Sequence, residues 1–459
     1  MTANGLLRVS AIRVRKLFGI YNHDVELNSA DRLTIIHGPN GVGKTAFLGL
    51  TNSLLSGKYG DLAKTPFAEF WIEFSDGSRA GVSKTQSQQS TDGVARDVRL
   101  YFEPSGGQRM LSSIASDFFD PQRVATQIER ESPYLTPLAP GEWFDRRTEE
   151  VLSASEVVAR YSEQLPEKMR NKLLKDLPQL KLIREQIKVH LIEAQRLIRL
   201  TTPKNDFRIR AAVDRAAVDT VQEYSRDLKK RISDALGTYA KESQRLDQSF
   251  PQRLLSPALD FQGGSNLGEA FKEIDDLRSK LKRLGLIDDS ENGPYYPFSI
   301  SREANLDATQ QTALRLYVDD TRAKLATLED LAQRLDVLLG NINKKFRNKE
   351  LRISREKGLY ALGPDRNESL SLSSLSSGEQ HEIVLMYDLL FKVTKNTLVL
   401  LDEPELSLHV SWQKSFLADL ASVIAIVEFD VLLATHSPYI VGDRADLMVE
   451  LSTGESQLN

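Results

Sequence analysis

The octapeptide Gly38-Pro39-Asn40-Gly41-Val42-Gly43-Lys44-Thr45 restricts the fold of this chain more than any other stretch. It has the pattern Gly-x-x-x-x-Gly-Lys-Thr, preceded by the apolar strand-like run Leu33-Thr34-Ile35-Ile36 and followed by a helix-like segment. Glycines let the backbone turn so tightly that successive N–H groups converge, and the helix behind them adds the positive end of its dipole. Such a loop wraps phosphates only where a strand feeds a helix, so this part of the chain is expected to be α/β. Gly38, Pro39, Asn40, Gly41, Val42, Gly43, Lys44, Thr45 and Ala46 form the expected phosphate-binding set. Lys44 would bring a point charge to the β- and γ-phosphates, and Thr45 a hydroxyl to Mg²⁺.

The rest of such a site lies near the other end of the chain. Leu398-Val399-Leu400-Leu401 reads as a buried strand delivering Asp402 and Glu403. Asp402 would hold Mg²⁺ through water, and Glu403 would act as general base on the attacking water. Neighbouring carboxylates repel unless a cation or a proton relieves them, which argues against a purely structural pair. Glu405, two residues on, is read as ambiguous and compatible with simply facing solvent. His436 follows the strand-like run Val431-Leu432-Leu433-Ala434 among small polar residues. A single histidine is commonly structural, but this position favours a γ-phosphate contact. Ser376, Ser377 and Gly378 precede a helical run at 379–392, where a hydroxyl and helix-start N–H groups can hold an anion. Taken alone, the same residues would serve as an ordinary helix cap.

Composition sets outer limits. A chain of 459 residues has room for about two to four domains. The net charge of −4 argues against wholesale coating of nucleic acid. The absence of cysteine excludes disulfides and thiolate metal sites. The start of the chain shows no secretion leader, and the apolar stretch 423–434 is interrupted by Glu428 and Asp430. No membrane partner is expected, and the expected location is the cytoplasm.

Three regions follow from the patterning. Residues 6–103 read as β-rich, with strands at 6–14, 23–27, 32–37, 67–74 and 98–103 and a polar loop at 84–93. From 141 to 186 the pattern is helical and charged, and a strand follows at 189–196. Two long helical segments come next, at 208–248 and 308–346. In the second, Leu314, Val318, Thr321, Leu325, Leu328, Ala332, Leu335, Leu339 and Ile342 keep a 4-3 spacing, the seam of a coiled coil. The expected plan is an N-terminal lobe at 1–204, an antiparallel coiled coil at 205–350 turning round within 251–306, and a C-terminal lobe at 351–459. Two ordinary amphipathic core helices are the plainer reading of the middle region.

With these motifs together, the chain resembles the ABC-type ATPases, in the branch of SMC, RecF and overcoming-lysogenization-defect proteins rather than transporter subunits. Leu375-Ser376-Ser377-Gly378-Glu379-Gln380 is similar to the ABC signature and Asp402-Glu403-Pro404 to the extended Walker B. Leu406-Ser407-Leu408-His409 is similar to the D-loop, and Thr435-His436-Ser437-Pro438 to the H-switch. The resemblance implies an ABC-type P-loop ATPase head with ATP and Mg²⁺ as cofactors and with Lys44, Glu403 and His436 as catalytic residues. It also implies self-association, because a signature segment closes over nucleotide held by another copy. The Mg²⁺- and γ-phosphate-sensing glutamine of the family is best matched by Gln195, at a strand end before the coil. Gln86, Gln88, Gln89 and Gln108 match less well. Lys16 and Phe18 are the nearest candidates for adenine or ribose contacts.

Two departures from relatives narrow the expected role. No Cys-x-x-Cys stands at the coil tip, so no zinc hook is expected, and no Toprim nuclease follows the head in this sequence. The pattern is similar to the ATPase subunits of anti-phage systems, PARIS with its AriA subunit and then Septu, which implies a phage trigger and a separate effector nuclease. The competing expectation is a repair or loading ATPase that binds DNA through Lys344, Lys345, Arg347, Lys349, Arg352, Arg355 and Lys357. A transporter's ATPase subunit fits poorly with two long paired helices.

Overall fold

The computed structural model describes residues 6–58, 62, 64–86, 96–113, 121–146, 150–161, 177–193, 209–255, 267–287, 307–365 and 369–451. Numbering strands along the chain, the central sheet contains β3 (Leu33–His37), β11 (Lys188–Glu193), β15 (Thr397–Asp402), β16 (Asp430–Ala434) and β17 (Met448–Glu450). Their spatial order is β11-β15-β16-β3-β17, and every pairing is parallel. All residues of β15 and β16 are buried, as parallel strands covered on both faces require.

Alternation along these strands divides the interior into two cores. Leu33, Ile35, Val399, Leu401, Val431 and Leu433 point into one. Ile36, Leu398, Leu400, Leu432 and Ala434 point into the other. The second core is closed by α1 (Lys44–Ser56) and by a six-stranded antiparallel sheet. That sheet is made of β1 (Val9–Leu17), β2 (Tyr21–Glu26), β4 (Glu69–Phe74), β5 (Arg79–Gln86), β6 (Arg96–Glu103) and β7 (Met110–Ser113). Of the polar loop expected at 84–93, residues 84–86 continue β5 and the rest lies outside the described residues.

The helical reading of 141–186 is corrected in part. Glu142–Asp145 (β9) and Glu150–Ser153 (β10) are strands, joined by β8 (Leu135–Ala139) into a small antiparallel sheet. It packs with α2 (Pro121–Glu131) and α3 (Ala154–Tyr161) around Ile128, Trp143, Val157 and Tyr161. Here Trp143 and Leu152 alternate with exposed neighbours, a period-two signal that is easily lost in a charged stretch. Further on, α4 (Pro178–Gln186) is helical, and β12 (Glu350–Ser354), β13 (Gly358–Leu362) and β14 (Ser369–Leu370) form another antiparallel sheet.

The middle region also differs from a plain two-helix coil. Helix α5 (Ile209–Leu254) runs through Pro251 and, with 46 residues, is about 69 Å long. Helix α7 (Ala308–Ala326) lies antiparallel to it, with Lys324 paired to Asp247 at 2.6 Å and Arg253 to Asp320 at 2.6 Å. An Asp307–Gln310 capping box starts α7. The expected second helix is broken at Thr327-Leu328, where α8 (Glu329–Asn343) begins. Nor is 251–306 a simple turn-around. Within it α6 (Leu267–Arg283) lies along α7 and reaches α8, through Glu273–Arg322 at 2.8 Å and Lys280–Asp336 at 3.2 Å. The seam at Leu325, Leu328, Ala332 and Leu335 belongs to the first core together with Ile274 and Leu281 of α6. No helix among the described residues is long and apolar enough to cross a membrane.

Candidate phosphate-binding site

Parallel register brings the functional ends of the central strands to one edge. Asp402 pairs with Ala434, Ala434 with Ile36, and Glu450 with His37. The chain therefore leaves β3, β15 and β16 side by side, at the carboxyl edge where open parallel sheets bind ligands. A cavity of about 330 Å³ opens there between Gly38, Pro39, Thr435, His436 and β17.

The phosphate loop is shaped by backbone geometry. Gly41 and Gly43 take φ of 84° and 99°. At Gly43 a Cβ would also lie 2.6 Å from Leu17 Cδ2. No side chain caps the start of α1, so its first N–H groups are directed into the loop. Lys44 is 5% exposed, and its ammonium donates to the carbonyls of Gly38 at 3.0 Å and Pro39 at 3.2 Å. Burial lowers the Lys44 pKa, while Glu403, Asp402 and Glu405 oppose that shift. Loop and acids, distant in sequence, thus share one electrostatic site.

Asp402 ends β15 and is 8% exposed. Glu403 follows in the left-handed region, φ 46°, with its N–H donating to Ala434 O at 2.9 Å. A non-glycine residue held there stores about 1–3 kcal/mol of strain, a frequent mark of functional turns. Its Oε1 lies 3.4 Å from His436 Nε2, so structure joins the expected base to the expected γ-phosphate contact. Thr45 is exposed at the first turn of α1.

Glu405 does not simply face solvent. Its Oε1 accepts from Thr435 Oγ1 at 2.8 Å, His436 N–H at 2.7 Å and Ser437 N–H at 3.2 Å. Gln413 adds a second tie, accepting from Ser437 Oγ at 2.7 Å. His23 also escaped sequence reasoning. It is 1% exposed, its Nε2 lies 2.9 Å from Val42 O, and its ring stacks on Tyr21 and meets Phe47 edge-on. Its place in an amphipathic strand would have supported only a core role.

Phe18, 45% exposed, borders Gly43. Lys16 is exposed one turn away, its N–H held by Asn22 Oδ1 at 2.9 Å. Gln195 lies outside the described residues, although β11 brings Glu193 into register with Asp402. Gln88 and Gln89 also lie outside them. Gln86 ends β5, and Gln108 is exposed in the turn before β7.

The signature segment sits elsewhere. Ser376 caps α9 (Ser377–Tyr387) in a capping box with Glu379. Ser376 and Ser377 are exposed, and Gly378 is half-buried. Gln380 is buried and donates to the carbonyls of Leu372, Ser373 and Leu375, which fixes the turn ahead of the serines. Leu372 and Leu375 belong to the helical core, whereas Val42, Phe47 and Leu48 belong to the core under the six-stranded sheet. Within one chain, Ser376 and Lys44 are therefore attached to opposite faces of the central sheet.

Much of the basic run expected to meet DNA is already occupied. Lys345 is buried against Glu382 of α9 and against Asp419 of α11 (Phe416–Val427), the latter at 2.8 Å. Between these helices lies α10 (Val410–Gln413). Lys349 pairs with Glu379 at 2.9 Å, Arg352 with Glu350 at 3.0 Å, and Arg355 donates to Leu286 O at 3.0 Å. Lys344, Arg347 and Lys357 are exposed.

ATP and Mg²⁺ fit this donor set. Converging N–H groups and an ammonium suit phosphates, and the Asp402 carboxylate and Thr45 hydroxyl are of the type that holds a cation bound chiefly through those phosphates. Among the described residues, no three Asp, Glu or His side chains form a metal cage by themselves.

A parallel sheet, a glycine-built phosphate loop after β3 and paired acids at the end of β15, one strand beyond β16, define a P-loop ATPase that binds ATP. The chain belongs to the family described as "AAA domain, putative AbiEii toxin, Type IV TA system", which matches residues 33–442. No match was found among curated proteins. Among solved structures, the chain is similar to the Smc head domain with an extended coiled coil bound to the C-terminal domain of ScpA from Pyrococcus furiosus. Identity is 12%, coverage 98% of this chain and 95% of that one, and the TM-score 0.34. It is also similar to the SMC head domain from Thermotoga maritima, at 10% identity, 97% and 95% coverage and a TM-score of 0.33.

Proposed function

We propose that this protein is an ATP-driven switch that works by self-association. ATP and Mg²⁺ are held by the loop 38–46, Thr45 and Asp402 of one copy, and Ser376, Ser377 and Gly378 of a second copy close over the nucleotide. The separation of Ser376 and Lys44 onto opposite faces of one sheet is the observation that carries this reading. A single chain has no evident way to bring them together, while two chains facing each other do. When bound, Mg²⁺ neutralises charge developing on the transferred phosphoryl group. Glu403 takes the proton of the attacking water, His436 contacts the γ-phosphate, and Gln195 reports its presence to the region that follows. In this reading 1–204 and 351–459 form the head, and 205–350 is the arm that carries closure outward.

The output is assigned to another polypeptide, an effector nuclease released or licensed when a phage trigger is sensed, as in the AriA type of ATPase subunit. The alternative, direct DNA loading or repair, is weakened by the ion pairs that occupy Lys345, Lys349 and Arg352.

Sizing and turnover of Glu403→Gln test the switch. The expected result is a turnover loss of about 10²- to 10⁴-fold with an ATP-dependent dimer that persists. Wild-type turnover in this variant would remove Glu403 from its role. A chain that stays monomeric with ATP would remove the self-association.

A further inference from the structure

We infer that Glu405 is a positioning residue that holds the turn at 435–437, and through it His436, against Glu403. The inference rests on the role proposed above for His436 and adds the group that sets its place.

The geometry is unusual for an acid beside two other acids. One oxygen of Glu405 gathers three donors from three consecutive residues: the Thr435 hydroxyl at 2.8 Å and the N–H groups of His436 at 2.7 Å and Ser437 at 3.2 Å. The turn is irregular backbone leaving β16, so these N–H groups have no strand partner and need an acceptor. Thr435 reinforces the knot by accepting from Ser437 N–H at 2.9 Å. From the other side, Gln413 binds the Ser437 hydroxyl at 2.7 Å and reaches back to the carbonyls of Glu405 and Leu408 at 3.4 Å. The two ends of the clamp are the turn bearing Glu403 and the turn bearing His436.

The turn that carries Glu405 is tied to this strand edge through Glu403, and Glu405 closes the turn that follows. Glu403 N–H donates to Ala434 O at 2.9 Å, and Leu408 N–H to Glu405 O at 3.1 Å. Glu405 thus transfers the fixed register of β15 and β16 to a side chain that would otherwise swing on a loop. The His436 side chain is about one-third exposed, and its 3.4 Å approach to Glu403 is a contact between two partly exposed side chains, so the placement of its backbone decides where the ring can reach. A displacement of about 1 Å at such a position costs about a hundredfold in rate.

The role requires a hydrogen-bond acceptor and no proton transfer, which separates it from the role of Glu403. Turnover, nucleotide affinity and amide hydrogen exchange of the 435–441 segment should be measured in Glu405→Ala, Glu405→Gln, His436→Ala and Glu405→Ala/His436→Ala. Glu405→Ala is expected to speed exchange at His436 and Ser437 and to lower turnover about a hundredfold, with ATP affinity within a few-fold of wild type. Glu405→Gln keeps a carbonyl acceptor and is expected to recover turnover to within about fivefold, with exchange close to wild type. The double variant is expected to be no slower than His436→Ala, since both changes remove one function.

Unchanged exchange in Glu405→Ala would overturn the clamp. A further loss in the double variant, or a Gln variant as slow as the Ala variant, would overturn action through His436. Wild-type turnover in His436→Ala would instead overturn the role assigned to His436, and with it the catalytic consequence of Glu405, while exchange would still decide whether Glu405 holds the turn.

Discussion

The two faces of the central sheet are built by different physics. On the face carrying the phosphate loop, backbone geometry sets the site: glycines at positive φ, an uncapped helix start and apolar packing under a second sheet. On the face carrying Ser376, side-chain ions do the same work. Lys345, just beyond α8, is buried between Glu382 of α9 and Asp419 of α11, and Lys349 holds the capping Glu379. Burial pushes the Glu382 carboxyl pKa up while Lys345 opposes it. The cradle is set by turns of the backbone and by apolar packing beneath them. Ser376, by contrast, is tied through its capping partner Glu379 to Lys349, a residue of a distant part of the chain.

That contrast can be broken from either side. The largest effect is expected from Glu382→Ala, which leaves a buried ammonium with one carboxylate and should cost about 3–5 kcal/mol of unfolding free energy. Chemical denaturation checks it. Where the variant remains folded, its monomeric ATP affinity should match wild type, because the phosphate-loop face is untouched. Lys44→Ala should do the reverse. Losing a charged hydrogen-bond donor of about 1.5–3 kcal/mol lowers ATP affinity roughly 10- to 100-fold in a titration, with no loss of melting temperature.

The smallest effect is expected at His23. Burial lowers its pKa below the ordinary 6.5, so the unfolded chain binds the proton more readily. Its contribution to stability is full above pH 6.5 and is lost as pH falls from there toward the lower folded value. The melting temperature should decline from pH 7 to pH 5, and His23→Gln should flatten part of that decline. His190, lowered by the same cause, contributes in the same direction. An identical slope in the variant would show that His23 does not sense the solvent proton.

Legibility in the sequence followed the same division. The phosphate loop, β15 with Asp402 and Glu403, and the capping serine of α9 are local patterns, each complete within a few residues. Glu405 could not be resolved because its partners lie about thirty positions on and reach it only when β15 and β16 pair. The basic run invited a nucleic-acid reading because Glu379, Glu382 and Asp419, its neutralising partners, are remote in sequence. Helix α6 was hidden for a related reason. Turn residues at 251 and 263–264 suggested a tip, while the periodicity of α6 is short and has meaning only against α7.

The central claim is that one copy's phosphate loop is completed by another copy's signature serine. An equimolar mixture of Lys44→Ala and Ser376→Arg chains tests it most directly. Each variant alone should be inactive. In a mixed pair, the intact Lys44 of one chain faces the intact Ser376 of the other, so one site is whole. Random pairing then restores about a quarter of the wild-type ATP turnover. A mixture no more active than its two components would contradict the account.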